Sequence, residues 1–149
     1  MEKEVYDGLK VRVQLVREGS ALEYPKSITS SHELADLVSP RLEPADREFF
    51  LSILLNQRLI PVGVEEVAIG GQNASIILPR EVFRSALLAG ASALILCHNH
   101  PSGFPDPSPE DRTITKRLKD AGEFIGVKVV DHIIIGHGIY YSFADQGEI

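Results

Sequence analysis

Ala91-Ser92-Ala93-Leu94-Ile95-Leu96-Cys97-His98-Asn99-His100-Pro101 runs into a proline-rich loop (Pro105, Pro107) and then into Ser108-Pro109-Glu110-Asp111-Arg112-Thr113-Ile114. The run Ala91 to Cys97 is short and mostly apolar, which marks a central strand. Beyond it, Pro101 pushes His100 out of the helical region, so the backbone stays extended through the histidines. Side chains alternate along an extended chain, so His98 and His100 project to one side while Cys97 and Asn99 point the other way. From about Pro109 the pattern becomes helical up to Ile125, and Gly126 stops it. A strand, a loop and a helix in this order are one unit of an α/β fold.

The flanking sequence extends that pattern in both directions. Upstream, Pro79 stands at a first helical position, and Val82, Phe83, Ala86 and Leu87 make an amphipathic helix that Gly90 terminates. Arg47 to Leu55 is apolar at nearly every position after Glu48 and reads as a buried strand, with a turn at Asn56-Gln57. Strand-like runs follow at Leu59 to Ile69 and Ala74 to Leu78, separated by Gly70-Gly71-Gln72-Asn73. Ser30 or Ser31 can cap a short helix through Leu34, Ala35, Leu37 and Val38, which Pro40 is expected to end. Leu9, Val11, Val13 and Leu15 alternate with polar residues as a half-buried strand does, and Glu18-Gly19-Ser20 closes that strand. Downstream, Val127 to Ile135 and Ile139 to Phe143 are two strands joined by Gly136-His137-Gly138. Interleaved helices combined with hairpins predict an α/β fold with a mixed β-sheet flanked by helices. Residues 1–30 form an N-terminal strand or hairpin extension in this reading, and residues 31–149 form one compact domain.

The chain has 149 residues, 44% of them hydrophobic and 24% charged, with a formal net charge of −6. That is one core of ordinary size. No stretch approaches the ~20 apolar residues of a membrane span, and the charged N-terminus lacks the apolar segment of a signal peptide, so the expected compartment is the cytoplasm. The acidic balance does not support a nucleic-acid partner, because sequence-independent binding to phosphate needs net positive charge. With Cys97 as the single cysteine, a Cys-rich structural zinc site is excluded.

Two histidines on one side of a strand can share one metal ion, and a catalytic zinc site takes three protein ligands and leaves a fourth position for water. Asp111 is the candidate third ligand. It falls on the helical stripe of Ile114, Leu118, Ala121 and Ile125, so its carboxylate points toward the core and calls for a cation or hydrogen-bond donors. The same residues also read as a helix start, with Ser108 as N-cap, Pro109 first and Asp111 third. Both readings stand, and they are compatible.

His-x-His, seven further residues, Ser, two more and Asp (His98, His100, Ser108, Asp111) resembles the JAMM motif of the JAB/MPN metallopeptidases. His98-Asn99-His100-Pro101-Ser102-Gly103, with Pro107-Ser108, Asp111 and Asp131-His132-Ile133-Ile134-Ile135-Gly136, resembles the RadC-type branch in particular. The likeness runs from about Arg47 to Phe143, whereas the segment before residue 30 does not resemble that branch's helix-hairpin-helix region. It implies a JAB/MPN (cytidine deaminase-like) architecture and one zinc ion per chain bound by His98, His100 and Asp111. It further implies Ser108 as the donor to the developing oxyanion and Glu48 as general base. By residue type alone Glu43, Glu65, Glu66 and Glu81 compete with Glu48; the resemblance selects Glu48.

The expected function is therefore a zinc-dependent hydrolase of amide or isopeptide bonds, with a peptide or protein as substrate. The alternative is a non-catalytic metal-binding interaction module linked to DNA repair or mobile-element processes. A hydrolase of nucleic acid or nucleotide is a third reading, which the acidic charge and single metal site disfavour. Asp131 and His132 interrupt an apolar strand, Asp131 sharing a face with Val129 and Ile133, and read as structural or as orienting a ligand imidazole. His32 and His137 read as surface residues, Cys97 as packing, and Arg112, Lys116 and Lys119 as a solvated helix face.

Overall fold

The computed structural model describes residues 12–16, 18, 27–70 and 77–149. Their elements in chain order are α1 (Ser31–Leu42), β1 (Phe49–Leu55), β2 (Pro61–Ile69), α2 (Pro79–Ala89), β3 (Ala93–Asn99), α3 (Pro109–Ile125), β4 (Lys128–Ile135) and β5 (Tyr140–Ser142). The five strands form one sheet in the order β2-β1-β3-β4-β5, so β3 with its histidine is central. β1 runs antiparallel to both β2 and β3; β3 and β4 are parallel through the α3 crossover, and β5 returns antiparallel. This is the mixed α/β sheet expected from the interleaved pattern.

Each face of the sheet is covered because each strand carries two apolar sets. Leu51, Ile53, Leu55, Ile95, Cys97, Ile133 and Ile135 pack with α1 residues Leu34, Ala35, Val38 and Leu42. Phe50, Leu54, Leu94 and Leu96 pack on the other side with Val82, Phe83 and Ala86 of α2 and Ile114 and Leu118 of α3. The alternation in β3 is therefore as read: Cys97 belongs to the α1 face and His98 to the face of α2 and α3.

Several local expectations are corrected. Pro40 does not end α1, which continues to Leu42 with the Glu43 amide donating to the Ser39 carbonyl. A proline inside a helix costs about 3 kcal/mol, and complete burial of Leu42 recovers about 1.5–3 kcal/mol of that. Leu87 on α2 and Ile125 on α3 are exposed, the buried α3 set being Ile114, Thr115, Leu118 and Gly122. Gly122 is required there, since a Cβ would lie 2.4 Å from the Val127 carbonyl oxygen. Residues 12–16 form no strand and Val13 is 64% exposed, so the half-buried strand expected at Leu9 to Val16 is absent over its described part; Leu9 and Val11, like Gly19 and Ser20, lie outside the described residues. So do residues 71–76, while Ile77 and Leu78 of the expected Ala74 to Leu78 strand belong to no strand. Among the described residues no helix is long and apolar enough to cross a membrane.

Candidate metal centre

β3 delivers His98 from its last full turn of pairing, opposite Phe50 on β1 and Ile134 on β4. His100 follows one residue beyond the strand, its amide donating to the Ile135 carbonyl at 2.9 Å, which keeps the backbone extended as Pro101 demands. Asp111 approaches from the first turn of α3. The His98 Nε2 and His100 Nε2 atoms lie 3.0 Å apart. Asp111 Oδ1 is 3.2 Å from the first and Asp111 Oδ2 is 3.3 Å from the second.

Hydrogen bonds at the far side of each ring show which nitrogens are free to bind. His100 Nδ1 donates to the Phe104 carbonyl at 2.8 Å, leaving Nε2 as the lone-pair nitrogen of the neutral ring. His98 Nδ1 meets His132 Nε2 at 2.8 Å, and His132 Nδ1 meets Thr115 Oγ1 at 2.6 Å. The Thr115 hydroxyl donates its one hydrogen to the Asp111 carbonyl at 2.6 Å and so accepts from His132 Nδ1–H. His132 Nε2 is then an acceptor, His98 Nδ1–H donates to it, and His98 Nε2 is also left with its lone pair. Burial, and then the neighbouring His98, push the His132 pKa well below the ordinary range, which holds it in this neutral form. Its ring is clamped against Phe143 at 5.1 Å and meets Phe50 edge-on.

Three lone-pair donors thus converge where only a proton or a metal ion relieves their mutual repulsion. In the metal-free chain it is the proton. Burial opposes ionisation of Asp111, yet hydrogen bonds from His100 and His98 outweigh it and hold the carboxyl well below the usual range. The same bond to Asp111 raises the His100 pKa, against the effect of partial burial. The donor set also fits a tetrahedral ion: ligands about 2.05 Å from zinc at tetrahedral angles stand roughly 3.3 Å apart, close to the distances seen here. The His98 side chain is 6% exposed and those of His100 and Asp111 15% and 13%, so the group is enclosed but reachable from the His100 side.

The two readings of Asp111 hold together. Ser108 and Asp111 form a capping box: the Asp111 amide donates to Ser108 Oγ at 3.0 Å, and Asp111 Oδ2 accepts from the Ser108 amide and hydroxyl, each at 2.8 Å. The cap is what orients the carboxylate toward the histidines. Glu48 lies half-buried just before β1, on the face of Phe50 by alternation, and its charge contributes to the raised pKa of His100. Of its sequence competitors, Glu66 pairs with Arg41, Glu65 and Glu81 pair with Arg84, and Glu43 accepts from the Gly138 amide. His32 and His137 are exposed, and Arg112 and Lys116 pair with Glu148 and Asp120 on a solvated face, all as read.

Alternation groups Asp131 correctly with Ile133 but wrongly with Val129, and the imidazole-orienting role read for the Asp131-His132 pair falls to His132. β4 pairs with β3 as Leu94↔Val129 and then Ile95↔Asp131, which leaves Val130 as a one-residue bulge. A slip of one residue exchanges the two faces of a strand. Val129 consequently packs with the α2 and α3 face, Asp131 turns to the α1 side with Ile133, and His132 comes under His98. The carboxylate suggested as an orienting group is not the one used: Asp131 accepts from Ser142 Oγ, Ala144 N and His132 N instead.

A mixed sheet whose central strand ends in His-x-His, completed by an aspartate at a helix start, defines a JAB-type domain with a candidate metal centre. The family model described as a RadC-like JAB domain matches residues 28–148. The chain belongs to that family. It is 48% identical over 120 residues to a UPF0758 protein of Clostridium acetobutylicum, covering 80% of this chain and 52% of the relative. It is 45% identical over 130 residues to a UPF0758 protein of Pelobacter propionicus, covering 87% and 57%. A UPF0758 protein of Alkaliphilus metalliredigens is 45% identical over 119 residues, covering 80% and 51%. The chain spans about half the length of these curated relatives.

Proposed function

We propose that this chain is a zinc-dependent hydrolase of amide or isopeptide bonds, acting on a peptide or protein. The observation that carries the reading is the convergence of donors: each imidazole is bonded through Nδ1 and turns its Nε2 toward the Asp111 carboxylate, at 3.2 and 3.3 Å, with a second carboxylate, Glu48, contributing its charge at His100. His98, His100 and Asp111 hold the ion. Zinc in such a site acidifies a bound water and polarises a carbonyl.

The chain's own residues supply the rest. Glu48 would accept the proton of the attacking water and return it to the leaving amine, the exchange that a general base and acid performs. Ser108 donates its hydroxyl hydrogen to the carbonyl oxygen as that oxygen gains charge. That hydrogen is shared with Asp111 Oδ2 in the resting chain, so Ser108 turns from its cap partner to the substrate. His132 and Phe104 keep the two imidazoles in the ligand tautomer throughout.

The test is metal analysis of purified protein together with cleavage of a fluorescence-quenched peptide library and an isopeptide-linked substrate. One zinc per chain is expected, lost in His98→Ala; Glu48→Gln is expected to keep its zinc and lose turnover about 10²–10⁴-fold. Zinc that persists in His98→Ala, or a Glu48→Gln variant as active as the parent, overturns the reading. Stoichiometric zinc without hydrolysis of either substrate by the parent chain would favour a metal-binding interaction module.

A further inference from the structure

Asn99, the residue between the two histidines, has its side chain on the opposite face of β3 from them, yet it is 2% exposed and bonded at both ends of its carboxamide. Its Oδ1 accepts from the Phe49 amide at 2.8 Å and its Nδ2 donates to the Arg47 carbonyl at 3.0 Å. A backbone amide can only donate and a carbonyl can only accept, so this orientation of the carboxamide is the one chemistry permits. The two bonded residues bracket Glu48. On the other side of the same backbone, the Gly70 amide donates to the Glu48 carbonyl at 2.7 Å.

The register explains why a side chain is needed. The β1–β3 ladder ends at Phe50↔His98, whereas β3 goes on pairing with β4 through Asn99↔Ile135, with His100 N on the Ile135 carbonyl. Residues 47–49 would then be held to β2 alone, at the sheet edge. The Asn99 carboxamide replaces the missing backbone pair with one acceptor and one donor. Among the residues short enough to sit there, Asn alone offers both: Asp lacks the donor, Ser lacks the reach for two bonds, and Gln carries the amide one methylene too far.

We infer that Asn99 is a positioning residue that ties Glu48 to the histidine strand, so that proton acceptor and metal ligands move as one body. This rests on the reading of Glu48 given under Proposed function. Tying the base to the ligand strand matters because a misplacement of about 1 Å can cost about 10²-fold in rate. The histidines themselves do not depend on Asn99; they are held by His132, by Phe104 and by the β3–β4 ladder.

The test uses Asn99→Ala and Asn99→Asp in the whole chain, with three readouts. By amide hydrogen exchange the Phe49 amide is protected in the parent chain; both Leu51 and Cys97 stay protected in the variants, while Phe49 loses protection in Asn99→Ala and retains it in Asn99→Asp, whose carboxylate still accepts. Zinc affinity, measured by competition with a chromophoric chelator, stays within about threefold. On the best-cleaved library peptide, kcat falls roughly 10- to 100-fold in Asn99→Ala with KM little changed, and Asn99→Ala adds no further loss in a Glu48→Gln background. An unprotected Phe49 amide in the parent chain overturns the inference without any activity measurement. So does a loss of zinc affinity parallel to the loss of kcat, or a full loss of turnover in Glu48→Gln with none in Asn99→Ala. If Glu48→Gln itself stays active, or the parent cleaves nothing, the failure belongs to the reading of Glu48, and the exchange data alone decide whether Asn99 holds that backbone.

Discussion

His98 donates its Nδ1–H to His132 Nε2 across 2.8 Å, joining the strand that carries the histidine pair to a residue 34 positions further along the chain. Thr115 continues the chain of bonds from His132 to the backbone of Asp111, so β3, β4 and α3 are tied together beneath the candidate metal centre.

Removing that support should weaken metal binding without touching a ligand. His132→Phe keeps an aromatic ring against Phe143 but leaves His98 Nδ1–H without an acceptor. Zinc affinity should fall about 10- to 100-fold, read by chelator competition. Thr115→Val is nearly isosteric and strands the His132 Nδ1–H, so the same weakening should come with a stability loss of about 1–3 kcal/mol in denaturant titration.

Metal binding should compete with protons in a defined direction. The raised His100 pKa means that its proton persists to higher pH than on a free imidazole, and zinc binds the deprotonated ring. Affinity should therefore decline as pH falls toward and below the ordinary histidine range, with proton uptake by the chain as zinc leaves. Calorimetry in buffers of different ionisation enthalpy measures the protons released on binding; a value of zero at pH 6 would contradict the bonding described here. The metal-free chain behaves oppositely at its two ends. The His100–Asp111 pair is lost as pH rises through the raised His100 pKa, and lost in acid only well below the usual carboxylate range.

Ser108→Ala should show two separable defects. Loss of the N-cap bond destabilises α3 by about 1 kcal/mol, visible as a lowered Tm. Loss of the hydroxyl donor should lower kcat by about 10²-fold or more. Ser108→Gly, a tolerated cap lacking the hydroxyl, should recover most of the Tm and none of the kcat.

Gly103 holds the loop that fixes His100. It has φ +87, and a Cβ there would sit 2.6 Å from His137 Nδ1. Gly103→Ala should displace the segment that carries the Phe104 carbonyl and weaken zinc binding. Adding His137→Ala relieves the clash but not the backbone strain, which costs about 1 kcal/mol or more for a residue with a side chain, so affinity should return only in part.

Much of the fold was legible because its signals are local. The nearly continuous apolar run at Phe49–Leu55 and the unbroken one at Ala93–Cys97 announced buried strands, and Pro79, Gly90, Pro109 and Gly126 marked helix ends by their own backbone chemistry. Pro40 and the exposed Leu87 and Ile125 were misread because burial of Leu42, Gly122 and their neighbours depends on which face meets the sheet, a matter of packing rather than propensity. At the centre, the spacing of His98 and His100 and the cap at Ser108 prescribed where their side chains point. Asn99 was read only as facing away, since nothing in its neighbours reveals that β3 abandons β1 at that point.

What the sequence determined by itself was therefore the three converging donors: alternation in an extended strand and capping of a helix are short-range geometry, set within a few residues of each group. What only the tertiary structure decided was what stands behind them. The bulge at Val130 arises from pairing between β3 and β4, and that single extra residue reverses the faces of β4, exchanging Asp131 for His132 under His98.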